Sequence, residues 1–508
     1  MVSALLLFAI NEIGDITDQE AVSRIAKVAR PFNLVLREAN PSEFGTFGNA
    51  INHVTVVGLG ECTHGSRDVF LAKAKMFRYL VENQGFRVLA LESDFASTLD
   101  MDRFVTTGQG DATAALLEQG FWTWATEEVR DLLLWMHAYN SVTPPDRQLR
   151  VVGVDAQDSY EVQRFLIDQY KRAGTALPEM EDTNWFAGLT YENDADPKKL
   201  VPIMERHTQN ALEALEVSIS HEERLVLEHA QYLLSKMLWH LALISKGEQL
   251  WELRIDVAPH IEETSKKMPN LGAKLQLSAK SQEILDGVSD YVTSDSRQMP
   301  SLARLQSAEV ELRAIDGESA QKAADVLRYV ALTIELATNP IAANRDRNMA
   351  ANVTWIQETF IPGSKVVFWG HNSHASRFEH NGRPFMMGAH LDNSIGSKYF
   401  PVGFVFNEGS FRASRQGKIR HFTADKAKPG SLGSYLAMTG KPTFFLSLND
   451  LDPETYEWLK KPRPIRGIGA SYDPGQPERY YEVLSATEMF DGLVFINRIR
   501  SSRALTRH

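Results

Sequence analysis

Residues 54–70 read VTVVGLGECTHGSRDVF. Val54–Leu59 is a short, largely β-branched run, and the glycines after it mark a turn. Beyond Ser66, the apolar residues Val69, Phe70, Met76, Phe77, Leu80 and Val81 recur at helical spacing. Strand, tight turn and helix in this order open an α/β unit, and the turn is where a dinucleotide-binding loop would sit. That reading fails on the residues. The third glycine of G-x-G-x-x-G would fall at Thr63, and Glu92 lies too far along to be the acid expected about 20 residues on. G-x-x-x-x-G-K-[ST] and the G-x-S-x-G nucleophile elbow are also absent. The turn holds an acid, Glu61, and an imidazole, His64, which are groups for general acid–base chemistry. Cys62 between them is expected to pack inward.

Working outward, further buried strands are expected at FRVLALE from Phe86, LRVVGVD from Leu149, KVVFWGH from Lys365, FPVGFVF from Phe400, PTFFLSL from Pro442 and DGLVFIN from Asp491. Helical patterns separate the early ones, with Val129, Leu132, Leu133 and Met136 marking a second helix over Glu127–Tyr139. Such alternation predicts an α/β fold with a mainly parallel β-sheet flanked by helices. From Tyr160 to Asn344 the strand signal vanishes and long helical stretches replace it. The expected domains are therefore 1–158 and 345–508, which together build the α/β domain, and a large all-helical insert over 159–344. Within the insert, 247–319 has the least regular pattern.

Each early strand is apolar until its carboxyl end and then turns polar: Glu61 and His64, Glu92, Asp155, and finally His371 with His374. Ligands bind at the carboxyl ends of parallel strands, so these residues are expected to share one cleft. Asp155 alone reads as a cap, because a lone acid after a strand usually caps the next helix. Lys73 lies on the apolar stripe of the first helix, where it must snorkel, pair or face a polar cleft, with Glu61 and Glu92 as the partners for pairing.

Composition narrows the activity. A formal net charge of −11 argues against binding a phosphate backbone. The basic tail RIRSSRALTRH reads as a solvated end. No apolar run approaches the ~20 residues of a membrane helix, and MVSALLLFAI at the start reads as a buried or frayed terminus. The one cysteine excludes an intramolecular disulfide and fits a cytoplasmic location.

GLGECTHGSRDVF, FRVLALESDFA, FWTWATEEVRDLLLWMHAYN, VVGVDAQ, NRDRNMAANVTWI and VVFWGHNSHAS occur in this order, and together they resemble the erythromycin esterase family. The resemblance implies hydrolysis of an ester or lactone, macrolides included, by histidine-activated water and without a covalent intermediate. It implies His64 as the base, Glu61, Glu92 and His371 as catalytic partners, and Lys73, Arg345 and His374 as substrate-binding groups. Lys73 stands where the family has an arginine, and the insert is longer around 247–319 than in the resistance enzymes. No cofactor is expected, and the partner is a small-molecule ester or lactone, with neither nucleic acid nor membrane involved. Two other readings stay open. The Glu/His cluster could hold a divalent metal, with H-x-x-H giving two ligands. The chain could also bind a bulky hydrophobic ligand without turnover, using Trp122 and Trp124. The converging titratable groups favour the enzyme.

Overall fold

In a computed structural model, the structure describes residues 15–34, 41–157, 160–175, 197–257, 259–293, 301–338 and 341–506. The apolar start and the expected boundary at 158–159 lie outside them. Contacts divide the chain into a sheet unit, Met1–Val162 with Asp346–His508, and a helical unit, Gln163–Arg345.

The sheet unit is built on nine strands: β1 (Arg30–Pro31), β2 (Val56–Leu59), β3 (Phe86–Asp94), β4 (Arg150–Asp155), β5 (Lys365–Trp369), β6 (Tyr399–Arg415), β7 (Lys418–Ala424), β8 (Thr443–Ser447) and β9 (Gly492–Ile499). Their order is β1-β8-β9-β6-β2-β5-β3-β4, with β7 folded back on β6. The pairings from β9 through β6, β2, β5 and β3 to β4 are parallel, while β1, β7 and β8 pair antiparallel. The expected mainly parallel sheet is therefore present. Every residue of β2 and all but the first of β5 are buried, as expected of parallel strands covered on both faces.

Between β2 and β3 runs α1 (Arg67–Gln84). Ser66 caps its start by accepting from the Val69 amide, and Gly85 ends it in the left-handed region at φ 74°. α2 (Glu127–Asn140) starts in the same way at Thr126. The acids at the strand ends are thus not the caps of these helices. Asp155 keeps a local role, accepting from the Ala156 amide at 2.7 Å.

β2 leads to β3 and β4 on one side. β5 returns between β2 and β3, and the next strand, β6, lies across β2 on the other side. The order thus reverses at β2 and β5, which makes their carboxyl ends the crevice of the sheet.

The basic tail is anchored, although the side chains of Arg498, Arg500 and Arg503 stay largely exposed. Arg500 pairs with Asp68 through its guanidinium at 2.5 Å and its own amide at 2.6 Å. Ser502 donates its amide to the Gly65 carbonyl at 2.9 Å, and Arg503 pairs with Glu127 at 3.2 Å. Those acids belong to the first turns of α1 and α2, so the tail ties both helix starts to the loop carrying His64. Composition alone cannot show this, because the partners are more than 370 residues away. Asp68 is buried, so Arg500→Ala is expected to cost about 1–3 kcal/mol in urea unfolding, the range for an under-satisfied buried charged group.

The helical unit has no strand among its described residues. The stretch 247–319 is more regular than its sequence pattern suggests: His221–Val257, Ile261–Lys274, Ala279–Thr293, Leu302–Arg313 and Glu318–Thr338 are successive helices. Pro269, Gly272 and Gly287 blur the periodicity, yet Met268, Ile284, Leu285, Val288, Leu305 and Leu312 close a common core with Ala323, Ala324 and Leu327. Tertiary packing decides here over local propensity.

Candidate active site

Register brings the polar residues together. Leu59 pairs with Trp369, and Trp369 with Leu91, so three neighbouring parallel strands are level at their carboxyl ends. Glu61 follows two residues beyond Leu59, Glu92 one beyond Leu91, and His371 two beyond Trp369. The pairing of β3 with β4 slips between Leu91 and Asp94, a bulge that contains Glu92. Bulges of this kind re-aim a side chain beside an active site.

Two glycines permit the close approach. A Cβ at Gly65 would lie 1.9 Å from the Arg412 carbonyl oxygen, and one at Gly370 would lie 2.7 Å from Glu92 Oε2. At Gly65 the clash is with backbone and only glycine fits, while at Gly370 a larger residue would push the Phe368 and Glu92 side chains aside. The sequence Gly65 belongs to is thus shaped by backbone crowding against β6, not by a phosphate.

Glu61 is fully buried and holds two partners at once. Its Oε1 lies 2.6 Å from His64 Nδ1, and its Oε2 accepts from Lys73 Nζ at 2.7 Å. Lys73 is equally buried; its ammonium also donates to the Gly370 carbonyl at 3.2 Å and sits 4.7 Å from the Trp369 ring centre. Burial pushes its pKa down to about 8 against the opposing charge of Glu61. Lys73 thus pairs with Glu61, one of the two partners expected from its place on the apolar stripe.

Across from them, Glu92 Oε2 accepts the His371 amide at 2.6 Å, and Oε1 lies 3.3 Å from His374 Nε2. The other nitrogen of His374, Nδ1, is 2.7 Å from Asp346 Oδ1. His371 caps α4 (Asn372–Ala375), which follows α3 (Ile341–Trp355) in the chain, and its Nδ1 accepts the Ser373 amide at 3.2 Å. The rings of His64 and His371 are 5.3 Å apart. Two strings of alternating character, Lys73–Glu61–His64 and His371–Glu92–His374–Asp346, thus meet at a pair of imidazoles.

Environment gives the three histidines different protonation. For His64, burial disfavours the imidazolium, but the Glu92 charge together with the hydrogen bond and charge of Glu61 outweighs it and raises the pKa above 6.5. For His371, burial and then the neighbouring His64 charge push the pKa down to about 3. For His374, burial is overcome by the charges of Glu92 and Asp346, and the pKa rises to about 10. Near neutral pH this leaves a neutral His371 and a charged His374, with His64 shifted toward its charged form.

The structure therefore brings together Glu61, His64, Lys73, Glu92, His371 and His374. Trp124 joins them through its indole N–H, which donates to the Glu92 carbonyl at 3.1 Å, and its ring stacks on Phe70. Trp122 has the Arg412 guanidinium 5.4 Å from its ring centre, and the Arg412 backbone packs on Gly65 beside His64. Arg345 is half-buried and falls on the helical side of the division between the units. Cys62 packs inward as expected, and burial followed by the Glu61 charge pushes its thiol up to about 12, so it is no nucleophile. Asp346 was missed. It stands next to Arg345 in NRDRNMA, and nothing in one sequence distinguishes it from a solvated helix acid.

The donor set also tests a metal. His374 has a carboxylate beside each ring nitrogen, so a cation there would have to displace one of them. Among the described residues no group of three His, Cys, Asp or Glu is arranged to hold a metal ion. Among the described residues, no helix is long and apolar enough to cross a membrane.

Comparison with known proteins agrees in fold and family. The erythromycin esterase family model matches residues 81–499, beginning after the loop with Glu61 and His64. The "Putative hydrolase YbfO" of Bacillus subtilis (strain 168) is 21% identical over 462 residues, covering 88% of this chain and 84% of that one. The erythromycin esterase type II of Escherichia coli is 26% identical over 153 residues, 30% of this chain and 32% of that protein. Among solved structures, a succinoglycan biosynthesis protein shares the fold at a TM-score of 0.61, with 19% identity over 96% of this chain and 99% of that one.

Proposed function

We propose that this chain, which belongs to the erythromycin esterase family, is a hydrolase that opens a carboxylic ester or lactone by direct attack of water. The observation that carries the reading is the Glu61–His64 pair. A carboxylate 2.6 Å from Nδ1 keeps a proton on that nitrogen and turns Nε2, with its lone pair, into the base. As Nε2 takes a proton from water, Glu61 stabilises the imidazolium that forms. The water oxygen adds to the carbonyl carbon, the carbonyl electrons move to its oxygen, and collapse expels the alkoxide. His64 then returns the proton to that alkoxide, giving acid and alcohol.

His371 is the neutral partner in this proposal. Its Nδ1 accepts from Ser373, so the ring proton is on Nε2, where it can donate to the developing oxyanion. The reading needs no metal, because His374 is occupied by its two carboxylates. Macrolide lactones are one candidate substrate class, with antibiotic resistance as the consequence, and a cytoplasmic location is part of the same proposal.

A panel of esters and lactones, macrolides included, tests it with chelator-dialysed protein. Hydrolysis in ¹⁸O-water should label the acid product, and hydroxylamine should trap no acyl-enzyme. Loss of activity on chelation with recovery on adding one metal would favour the metal-dependent alternative. Binding across the panel without turnover would favour a binder.

The pH dependence follows from the sign of the His64 shift. The base works only when neutral, and its pKa is raised, so kcat/KM should fall as pH drops through a midpoint above 6.5. A midpoint below 6.5 would contradict the assignment.

A further inference from the structure

His374 is an unusual histidine in its surroundings. Both ring nitrogens face carboxylates, Asp346 at 2.7 Å and Glu92 at 3.3 Å, and ring, Asp346 and Glu92 side chains are all nearly excluded from water. Carboxylates only accept, so each nitrogen must donate, and the ring must carry both protons. Asp346 is anchored in turn, because its Oδ1 also accepts the Met387 amide at 2.8 Å, at the start of α5 (Met387–Ile395). Glu92 passes the constraint on through its bond to the His371 amide.

We propose that Asp346 is a positioning residue that locks His374 as a permanent imidazolium and, through it, fixes the Glu92 carboxylate against the loop carrying His371. The proposal rests on the hydrolase reading only for its purpose, since the lock itself is a statement about protonation. Its chemical logic is charge balance. Glu92 lies near His64 and favours the protonated form of that base. A fixed positive ring on Glu92 offsets this, and keeps His64 able to be neutral. Asp346 supplies the second carboxylate that makes the positive ring stable in a buried place. The groups facing His374 are Glu92 from β3, Asp346 from α3, and His371 and His64 from the strand-end loops, while His390 of α5 feels the charges of Asp346 and Arg347.

Histidine-labelled protein examined by ¹⁵N NMR tests this without substrate, with the His374 resonance assigned from its loss in His374→Gln. In the native chain the ring should show two protonated nitrogens from pH 5.5 to 8.5. Its midpoint should drop by ~1–3 units in Asp346→Asn, the usual effect of removing a close opposite charge, and return in Asp346→Glu. The acid limb of kcat/KM should move to higher pH in Asp346→Asn, which a purely structural loss would not do. A native ring that titrates near 6.5, or a midpoint unmoved in Asp346→Asn, overturns the proposal. If Asp346→Asn does not fold, the native titration still decides. Should the NMR result hold while no ester is cleaved, the lock stands and the hydrolase reading fails.

Discussion

His64→Gln is expected to lower kcat on the true substrate by about 10²–10⁴-fold, the usual contribution of a general base, while leaving the fold intact. Glutamine can donate to Glu61 as the imidazole does, and Glu61 keeps its 2.7 Å bond to Lys73, so no buried charge loses its last partner. The thermal midpoint should accordingly stay close to the native value. Glutamine has no titratable nitrogen, so what residual activity remains should lose its acid limb near neutral pH. Steady-state kinetics across pH, beside a thermal melt, separates this from the plainer reading in which His64 only braces the loop. In that case the melt would shift and the rate would fall much less. A variant within a few-fold of the native rate would remove His64 from the chemistry.

How far the sequence shows this site depends on which kind of information each residue carries. β2, β3, β5 and the start of α1 are legible because apolar runs and helical spacing are local signals, and the polar strand ends follow directly from them. The convergence of Glu61, Glu92 and His371 is legible only through the rule for parallel sheets. The sequence does not show that β5 lies between β2 and β3, which is what puts the two imidazoles 5.3 Å apart. The partition of roles is less legible still. Lys73 reads as a cleft cation, but its burial behind Glu61 depends on Gly370 and Trp369, which lie some 300 residues away. Asp346 and the tail around Arg500 share this limit, since each acts through partners distant in sequence. In the helical unit the failure runs the other way: prolines and glycines hide a regularity that packing restores.

The same burial makes Lys73→Met the substitution with the largest expected effect on stability. Lys73 and Glu61 are both fully buried, and neither can find water in compensation. Removing the ammonium leaves the Glu61 carboxylate with His64 as its only remaining bonded partner among those described, and breaking a buried pair typically costs about 3–5 kcal/mol. Methionine matches the apolar stem of lysine, so the loss reports the charge and not a cavity. The stranded carboxylate should then favour a proton on His64, because an opposite charge stabilises the imidazolium. The acid limb of kcat/KM should therefore move to higher pH in Lys73→Met. If Lys73 acted on the substrate oxyanion alone, turnover would instead fall at every pH and the limb would stay unmoved. Adding Glu61→Gln to Lys73→Met supplies the control: removing both charges should recover part of the lost stability, since a stranded charge costs more than no pair. Urea unfolding of the two single variants and the double variant measures this directly. If the double variant is no more stable than Lys73→Met, the pair does not carry the charge balance assigned to it. The base at His64 would then have to be tuned by Glu92 and His374 alone.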